Sequence, residues 1–264
     1  MKQKMITTVD LNADMGEGFG PWRMGDDAAL LDIVTSANIA CGLHAGDWDV
    51  MAETMRAAVG RGVGIGAHPG FADLQGFGRR RMQLSPGSLG NLVRYQLGAA
   101  QAIARANGSA VRHLKLHGAL SNMASEDKAT ARACYEAALS VTPDLIVVVL
   151  AGTAQQDAAA ELGCRVACEI FADRAYAEDA TLVDRGQPGA VIHDPEKAAQ
   201  RTVAMLRAGA IITQGGKNIP TRIDTICLHG DTPQAVAIAG AVRKGLSDAG
   251  IAVTRFEGAR MSTP

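Results

Sequence analysis

The stretch MITTVDLNAD, Met5 to Asp14, opens as an apolar run and closes on Asp10, Asn12 and Asp14, each two residues from the next. Successive side chains of an extended chain point to opposite faces, so these three polar groups share one face of a strand. Six further apolar runs recur along the chain: ANIACGLH (Ala37 to His44), GVGIGAH (Gly62 to His68), VRHLKLH (Val111 to His117), LIVVVLAG (Leu145 to Gly152), CRVACEIFADR (Cys164 to Arg174) and TICLHGD (Thr225 to Asp231). Nearly all are separated by helix-like stretches. Strand followed by helix, repeated, calls for parallel strands with right-handed crossovers, and about seven repeats favour a closed barrel over an open sheet. The chain is therefore predicted to be an α/β protein, a seven-stranded parallel β/α barrel, or eight-stranded if Ile251 to Thr254 closes it. Residues 1–264 read as one domain, since a barrel of about 250 residues does not need to split. In such a barrel the C-terminal strand ends meet on one face. A histidine or carboxylate there reads as functional before it reads as structural.

The intervals between runs carry helix signals. Asp47 caps a predicted helix with the face Met51, Met55, Ala58 and Val59, ending at Gly60 and Gly62. Ser85-Pro86 opens a stripe of Leu89, Leu92, Val93, Leu97, Ala100 and Ile103 that stops before Asn107-Gly108, and Asp194-Pro195 and Thr232-Pro233 repeat that start. The last of these leads into Val236, Ala239, Val242 and Leu246. Two long loops, Gly66 to Leu84 and Ala177 to His193, break the alternation and are expected on the active-site face.

A hydrophobic content of 47% against 20% charged residues supplies a buried core, and aromatics at 4% leave aliphatic side chains and alanine to fill it. A net charge of −1 gives no basic field for nucleic acid. No run reaches the roughly 18 apolar residues that cross a bilayer. MKQKMITTVD leads into a strand without a signal-peptide apolar region, so a cytoplasmic protein is expected. The five cysteines form no CxxC pair, and Cys164 and Cys168 read as small buried hydrophobes.

The strand ends supply the chemistry. Asp10, Asn12, Asp14 and Glu17 lie in DLNADMGEGFG, where three aligned oxygen-bearing groups can converge on a cation or a polar substrate; the plainer alternative is a solvated turn. His44 in CGLHAGD and His68 in GAHPGF suit proton transfer or coordination of a divalent ion. HLKLHG places Lys115 and His117 on one face, shared with His113, and a lysine inside an apolar strand demands a partner. A structural ion pair with Glu169 or Asp173 competes with a role in catalysis. EIFADR offers Glu169 as an inward acid and Arg174 as an anion clamp, LHGD adds His229 and Asp231, and Arg79 follows the flexible Gly78 in GFGRRRM. Neither GxGxxG nor GxxxxGK[ST] occurs.

DLNADMGEGFG, SANIACGLHAGD, GAHPGFADLQGFGRR, HLKLHGALSN, EIFADRAY and CLHGD, in this order from Asp10 to about Ala252, closely resemble the LamB/YcsF family, the A subunits of prokaryotic 5-oxoprolinase. The resemblance implies a distorted β/α barrel of the glycoside hydrolase/deacetylase type. It also implies ATP-dependent opening of the 5-oxoproline lactam to L-glutamate together with partner subunits B and C, with Mg²⁺ accompanying ATP. For that reaction Arg79, Arg174 and Lys115 fit the cationic roles, and His44, His68 and His117 the proton transfers. Asp10, Asp14 and Glu169 would hold the metal or orient the histidines, and Asn12 and His229 would contact substrate. Two departures stand out: Leu116 and Ser121 replace a common proline and tyrosine, and ITQGGKNIP (Ile212 to Pro220) lacks a common tryptophan after Gly-Glu. Two other functions suit the same residues, a stand-alone metal-dependent amide hydrolase or deacetylase and a non-catalytic substrate-binding subunit.

Overall fold

The computed structural model describes residues 6–230 and 234–261. Met5, at the start of the first run, and Asp231, Thr232 and Pro233, which end the last run and open the last helix, lie outside the described residues. Elements follow in the order β1 (Thr8–Met15), α1 (Asp27–Leu31), β2 (Ser36–Ala40), α2 (Trp48–Gly60), β3 (Gly64–His68), α3 (Pro86–Ala106), β4 (His113–Lys115), α4 (Gly118–Glu126) and α5 (Lys128–Val141). They continue with β5 (Ile146–Leu150), α6 (Ala154–Glu161), β6 (Arg165–Phe171), α7 (Pro195–Ala208), β7 (Ala210–Ile212), β8 (Asn218–Pro220), β9 (Thr225–Leu228), α8 (Ala235–Asp248), β10 (Ala252–Val253) and β11 (Ala259–Arg260).

Every one of the seven runs overlaps a barrel strand. β1 to β6 pair in sequence, all parallel, and β9 closes the ring by pairing with both β6 and β1. The eighth-strand alternative fails on register. Ala252 and Val253 run beside Thr8 and Val9, whereas β9 takes Asp10 to Ala13, so β10 extends the rim below a ring that is already closed. β7 and β8 form an antiparallel hairpin apart from the barrel, and it holds the divergent ITQGGKNIP segment.

The helix starts behave as their caps predict. Asp47 accepts from the amides of Asp49 and Val50, Ser85 from Ser88, and Asp194 from Glu196 and Lys197, each supplying acceptors for amides that the helix itself leaves bare. Met51, Met55 and Ala58 of α2 and Leu89, Val93, Leu97 and Ala100 of α3 join the layer between helices and strands, while Val59 is exposed. Each fully buried Leu-sized side chain there is worth about 1.5–3 kcal/mol. Among the described residues no helix is long and apolar enough to cross a membrane, and all five cysteines are buried and free.

The unusual part is inside the ring. Small barrels normally fill it with branched aliphatic side chains, but here an apolar group of Ile146, Val148, Ala167 and Phe256 occupies only part of it. Other inward positions carry Asp10, Asn12, Asp14, Ser36, Asn38, His113, Lys115, Glu169 and Thr225, all buried. Gly66 faces His113 across β3 and β4, and a Cβ at Gly66 would stand 2.0 Å from His113 Nε2. That glycine leaves room for the imidazole.

Candidate active site

The polar interior rises in tiers from the bottom of β1 to the barrel mouth. In the lowest, Asp10 accepts from the hydroxyls of Thr225 (2.5 Å), Thr35 (2.6 Å) and Ser36 (2.8 Å). Burial pushes its carboxyl up to about 7 despite those donors. One tier up, Asn12 donates to Glu169 Oε1 and Thr225 Oγ1, and its own oxygen accepts from Asn38. His113 Nε2 donates to Asn38 Oδ1 at 2.9 Å, and burial, reinforced by Arg112 and Lys115, lowers that imidazole to about 3.

Lys115 joins this layer to the mouth. Its ammonium lies 3.0 Å from Asp14 Oδ1, 3.0 Å from Glu169 Oε1, 2.8 Å from Cys227 Sγ and 5.1 Å from the centre of the Phe171 ring. Burial works against its charge, but Asp14, Cys227 and Glu169 outweigh it and hold the amine well above its ordinary value. Asp14 mirrors this: burial opposes ionisation, yet His68 and Lys115 keep its carboxyl well below the usual range. Glu169, for which burial dominates, is raised. The ion-pair partner of Lys115 is thus Glu169 together with Asp14. Asp173 instead pairs with His229 Nδ1 at 2.8 Å; burial would raise its carboxyl, but His229 more than offsets that and holds it down.

At the mouth three imidazoles pack together. His44 stacks on His117 with centroids 3.7 Å apart, and His68 meets His117 edge to face at 4.9 Å. Gly70 and Gly78 make space, since a Cβ at either would approach His44 within 2.7 Å, and Gly78 adopts φ +62°. Burial first, then the neighbouring imidazoles, drives His44 well below the ordinary histidine value and His117 to about 3, so both are neutral ligands or bases at physiological pH. Glu17 Oε1 completes the group, 3.7 Å from His117 Nδ1 and 3.8 Å from His44 Nε2. Among the described residues, two sets of side chains have the donors to hold a metal ion: Glu17 with His44, His68 and His117, and Asp14 with Cys227 and His229.

Above this floor the two long loops wall a cleft of about 280 Å³. Arg79, Arg81, Arg174 and Arg185 line its walls, and Asp14, Glu17, His68, Lys115, His117 and His229 are among the residues beneath them. Arg79 lies over the Phe77 ring at 4.9 Å. Arg174 is braced by the loop itself, donating to the carbonyls of Val183 and Ala190, with burial and Arg185 lowering it to about 10. Arg80 and Arg81 reach out to Asp73 and Glu126.

Of the residues singled out from sequence, Asp14, His68, Lys115, His117, Arg79, Arg174 and His229 meet at the cleft, and His44 backs it. Asp10, Asn12 and Glu169 do not line it; they form the network underneath. Two residues at the centre carry no assigned role in the sequence reading. Glu17 sits past the end of β1, where strand alternation no longer predicts direction. Cys227 is counted in the sequence only as one of five scattered cysteines, although its place between Thr225 and His229 puts it on the inward face.

The family model described as LamB/YcsF family matches residues 9–261. A relative from Ruegeria pomeroyi, named as the A subunit of 5-oxoprolinase, is 66% identical over 96% of this chain and 100% of its own length. Another of that name from Nitrobacter hamburgensis is 55% identical over the same shares. A crystal structure of a lactam utilization protein from Thermus thermophilus superposes with a TM-score of 0.88 at 44% identity, covering 94% of this chain and all of that one. By sequence, by fold and by the motifs that build the cleft, this chain belongs to the LamB/YcsF family.

Proposed function

We propose that this chain is the A subunit of an ATP-dependent 5-oxoprolinase, which opens the lactam of 5-oxoproline to L-glutamate in complex with partner subunits B and C. The observation that carries the reading is the 66% identity, across 96% of the chain, to a protein named as the A subunit of 5-oxoprolinase. A reaction that consumes ATP with Mg²⁺ suits a cytoplasmic complex.

The cleft provides what the chemistry needs. Water oxygen bonds to the lactam carbonyl carbon, the ring C–N bond breaks, and the nitrogen leaves with a proton as the amine of glutamate; ATP is cleaved to ADP and phosphate. A five-membered lactam is a stabilised amide, and phosphorylation of its carbonyl oxygen makes the carbon open to water. Arg79, at the wall, fits the substrate carboxylate or the phosphoryl charge. Arg174, tied to Val183 and Ala190, fixes the loop that shapes the cleft. His229, with Nδ1 bound to Asp173, presents its other nitrogen in a single tautomer, the arrangement of a base with its orienting carboxylate. His68 and His117 line the floor of the cleft, where the lactam carbonyl and water would be bound, and Lys115 fixes Asp14 beneath them.

The test is release of glutamate and ADP from 5-oxoproline, ATP and Mg²⁺, with the chain alone and mixed with purified B and C subunits. Product in the mixture and none from the chain alone is expected. No product in the mixture, with the same partners active beside a known A-type chain, would overturn the assignment.

A further inference from the structure

His68 and His117 each spend one ring nitrogen on a group that can only accept. His68 Nδ1 lies 2.8 Å from the Lys115 carbonyl, and His117 Nε2 lies 2.8 Å from the Phe77 carbonyl. Both of those nitrogens must carry the hydrogen. In neutral rings the two remaining nitrogens, His68 Nε2 and His117 Nδ1, then hold lone pairs, and they face each other at 3.0 Å. Two lone pairs at that distance repel unless an added proton or a metal ion lies between or beside them. Glu17 Oε1 stands 3.7 Å from His117 Nδ1, and a second carboxylate oxygen, Asp14 Oδ2, stands 3.3 Å from His68 Nε2. His44, fully buried, has neither ring nitrogen hydrogen-bonded, and its Nε2 is 3.8 Å from the same Glu17 oxygen.

The geometry points to a bound divalent transition-metal ion, of the Zn²⁺ class, held by Glu17, His68 and His117 with His44 as the fourth donor. One ligand atom from each of the four lies within 4.8 Å of all the others. In a tetrahedral site with bonds of about 2.0–2.1 Å the ligand atoms stand roughly 3.3 Å apart, so the observed spacings of 3.0 Å, 3.7 Å and 3.8 Å need only small side-chain adjustments. Three imidazoles and one carboxylate select Zn²⁺, Co²⁺ or Fe²⁺ over Mg²⁺, which prefers an octahedral shell of oxygens. The second hard step in ligation, fixing each ring, is already taken by the Lys115 and Phe77 carbonyls, as outer partners do in metal sites. Glu17, His68 and His117 border the cleft, so a fifth ligand can reach the ion from there. The neighbouring set of Asp14, Cys227 and His229 is the poorer host, because the Lys115 ammonium already lies 2.8 Å from Cys227 Sγ and 3.0 Å from Asp14 Oδ1.

The inference does not depend on the lactam reading, since its readout is stoichiometry and a spectrum rather than turnover. Full-length protein stripped with a chelator would be titrated with Zn²⁺ in the presence of excess Mg²⁺, and separately with Co²⁺ for its visible absorption. Expected are one ion per chain, the intense bands of four- or five-coordinate Co²⁺, and a loss of affinity of more than about 100-fold in Glu17→Gln and His117→Ala. Cys227→Ser should bind as the parent does. Circular dichroism confirms that each variant is folded, and Glu17→Gln, which keeps the shape of the side chain, guards against a folding defect in His117→Ala. No stoichiometric uptake, uptake unchanged in both ligand variants, loss of uptake in Cys227→Ser, or displacement by Mg²⁺ would each overturn it.

Discussion

His113 and His117 stand four residues apart on the inward side of the same strand and its extension, yet they belong to two different environments. Around His113 the side chains of Asp10, Asn12, Asn38, Glu169 and Thr225 form a network in which hydroxyls and amides donate to carboxylates and carbonyls. Around His117 the arrangement is the reverse. Acceptors face acceptors, two nitrogens of His44 have no hydrogen-bond partner, and the cleft opens directly above. A densely bonded buried network, even with His113 Nδ1 left without a partner, holds strands at a fixed spacing and resists change; groups left with unused lone pairs at a cleft are free to bind or to move protons. The lower tier builds the barrel, and the upper tier is the part proposed to act. Lys115 spans both, one carboxylate partner in each.

The largest effect on stability should come from that joint. Lys115→Met leaves Asp14 and Glu169 buried without their shared cation, and breaking a buried pair of this kind costs about 3–5 kcal/mol. A urea unfolding curve with an unchanged midpoint would show that the two tiers are not coupled through this residue. Gly66→Ala comes next. Its Cβ would collide with the His113 ring, and overpacking of this severity costs about 3 kcal/mol, whereas Gly98→Ala, with open space around it, should cost little.

Asp10→Asn sharpens the contrast through pH. Burial raises the folded carboxyl from 3.8 to about 7, so the fold prefers the protonated form. Its contribution to stability is therefore complete below 3.8 and is lost as pH rises to about 7. Between pH 5 and 7 that loss amounts to about 2 kcal/mol, and Asp10→Asn should flatten the decline in a set of denaturation curves. A variant with the parent's slope would mean that Asp10 is ionised in the fold. The smallest effect belongs to the rim, where Arg81 and Glu126 are both well exposed. Arg81→Ala should change stability by less than about 1 kcal/mol.

Much of this was legible in the chain. Strand runs, caps at Asp47, Ser85 and Asp194, and the stripe of α3 depend on local periodicity and local hydrogen bonds, which sequence displays directly. The separation into tiers depends on register between strands. Asp10, Asn12 and Asp14 share a face, but only the pairing of Asp14 with Asn38 and of Asn12 with Cys227 fixes which of them reaches the mouth. The direction of Arg174 depends on carbonyls of a loop whose path no periodicity describes. Ile251 to Thr254 has the pattern of a barrel strand, yet the ring was already complete without it.

The most direct measurement compares His117→Ala with His113→Ala in the reconstituted complex, recording glutamate release from 5-oxoproline and the unfolding midpoint of this chain for each. His117→Ala is expected to lose about 10²–10⁴-fold in turnover with little loss of stability, as befits a side chain whose free ring nitrogen serves the cleft rather than the fold. His113→Ala should lose about 2 kcal/mol or more of stability while its folded fraction turns over within a few fold of the parent. Turnover retained in His117→Ala, or abolished in a stably folded His113→Ala, would contradict the division between a tier that builds and a tier that acts.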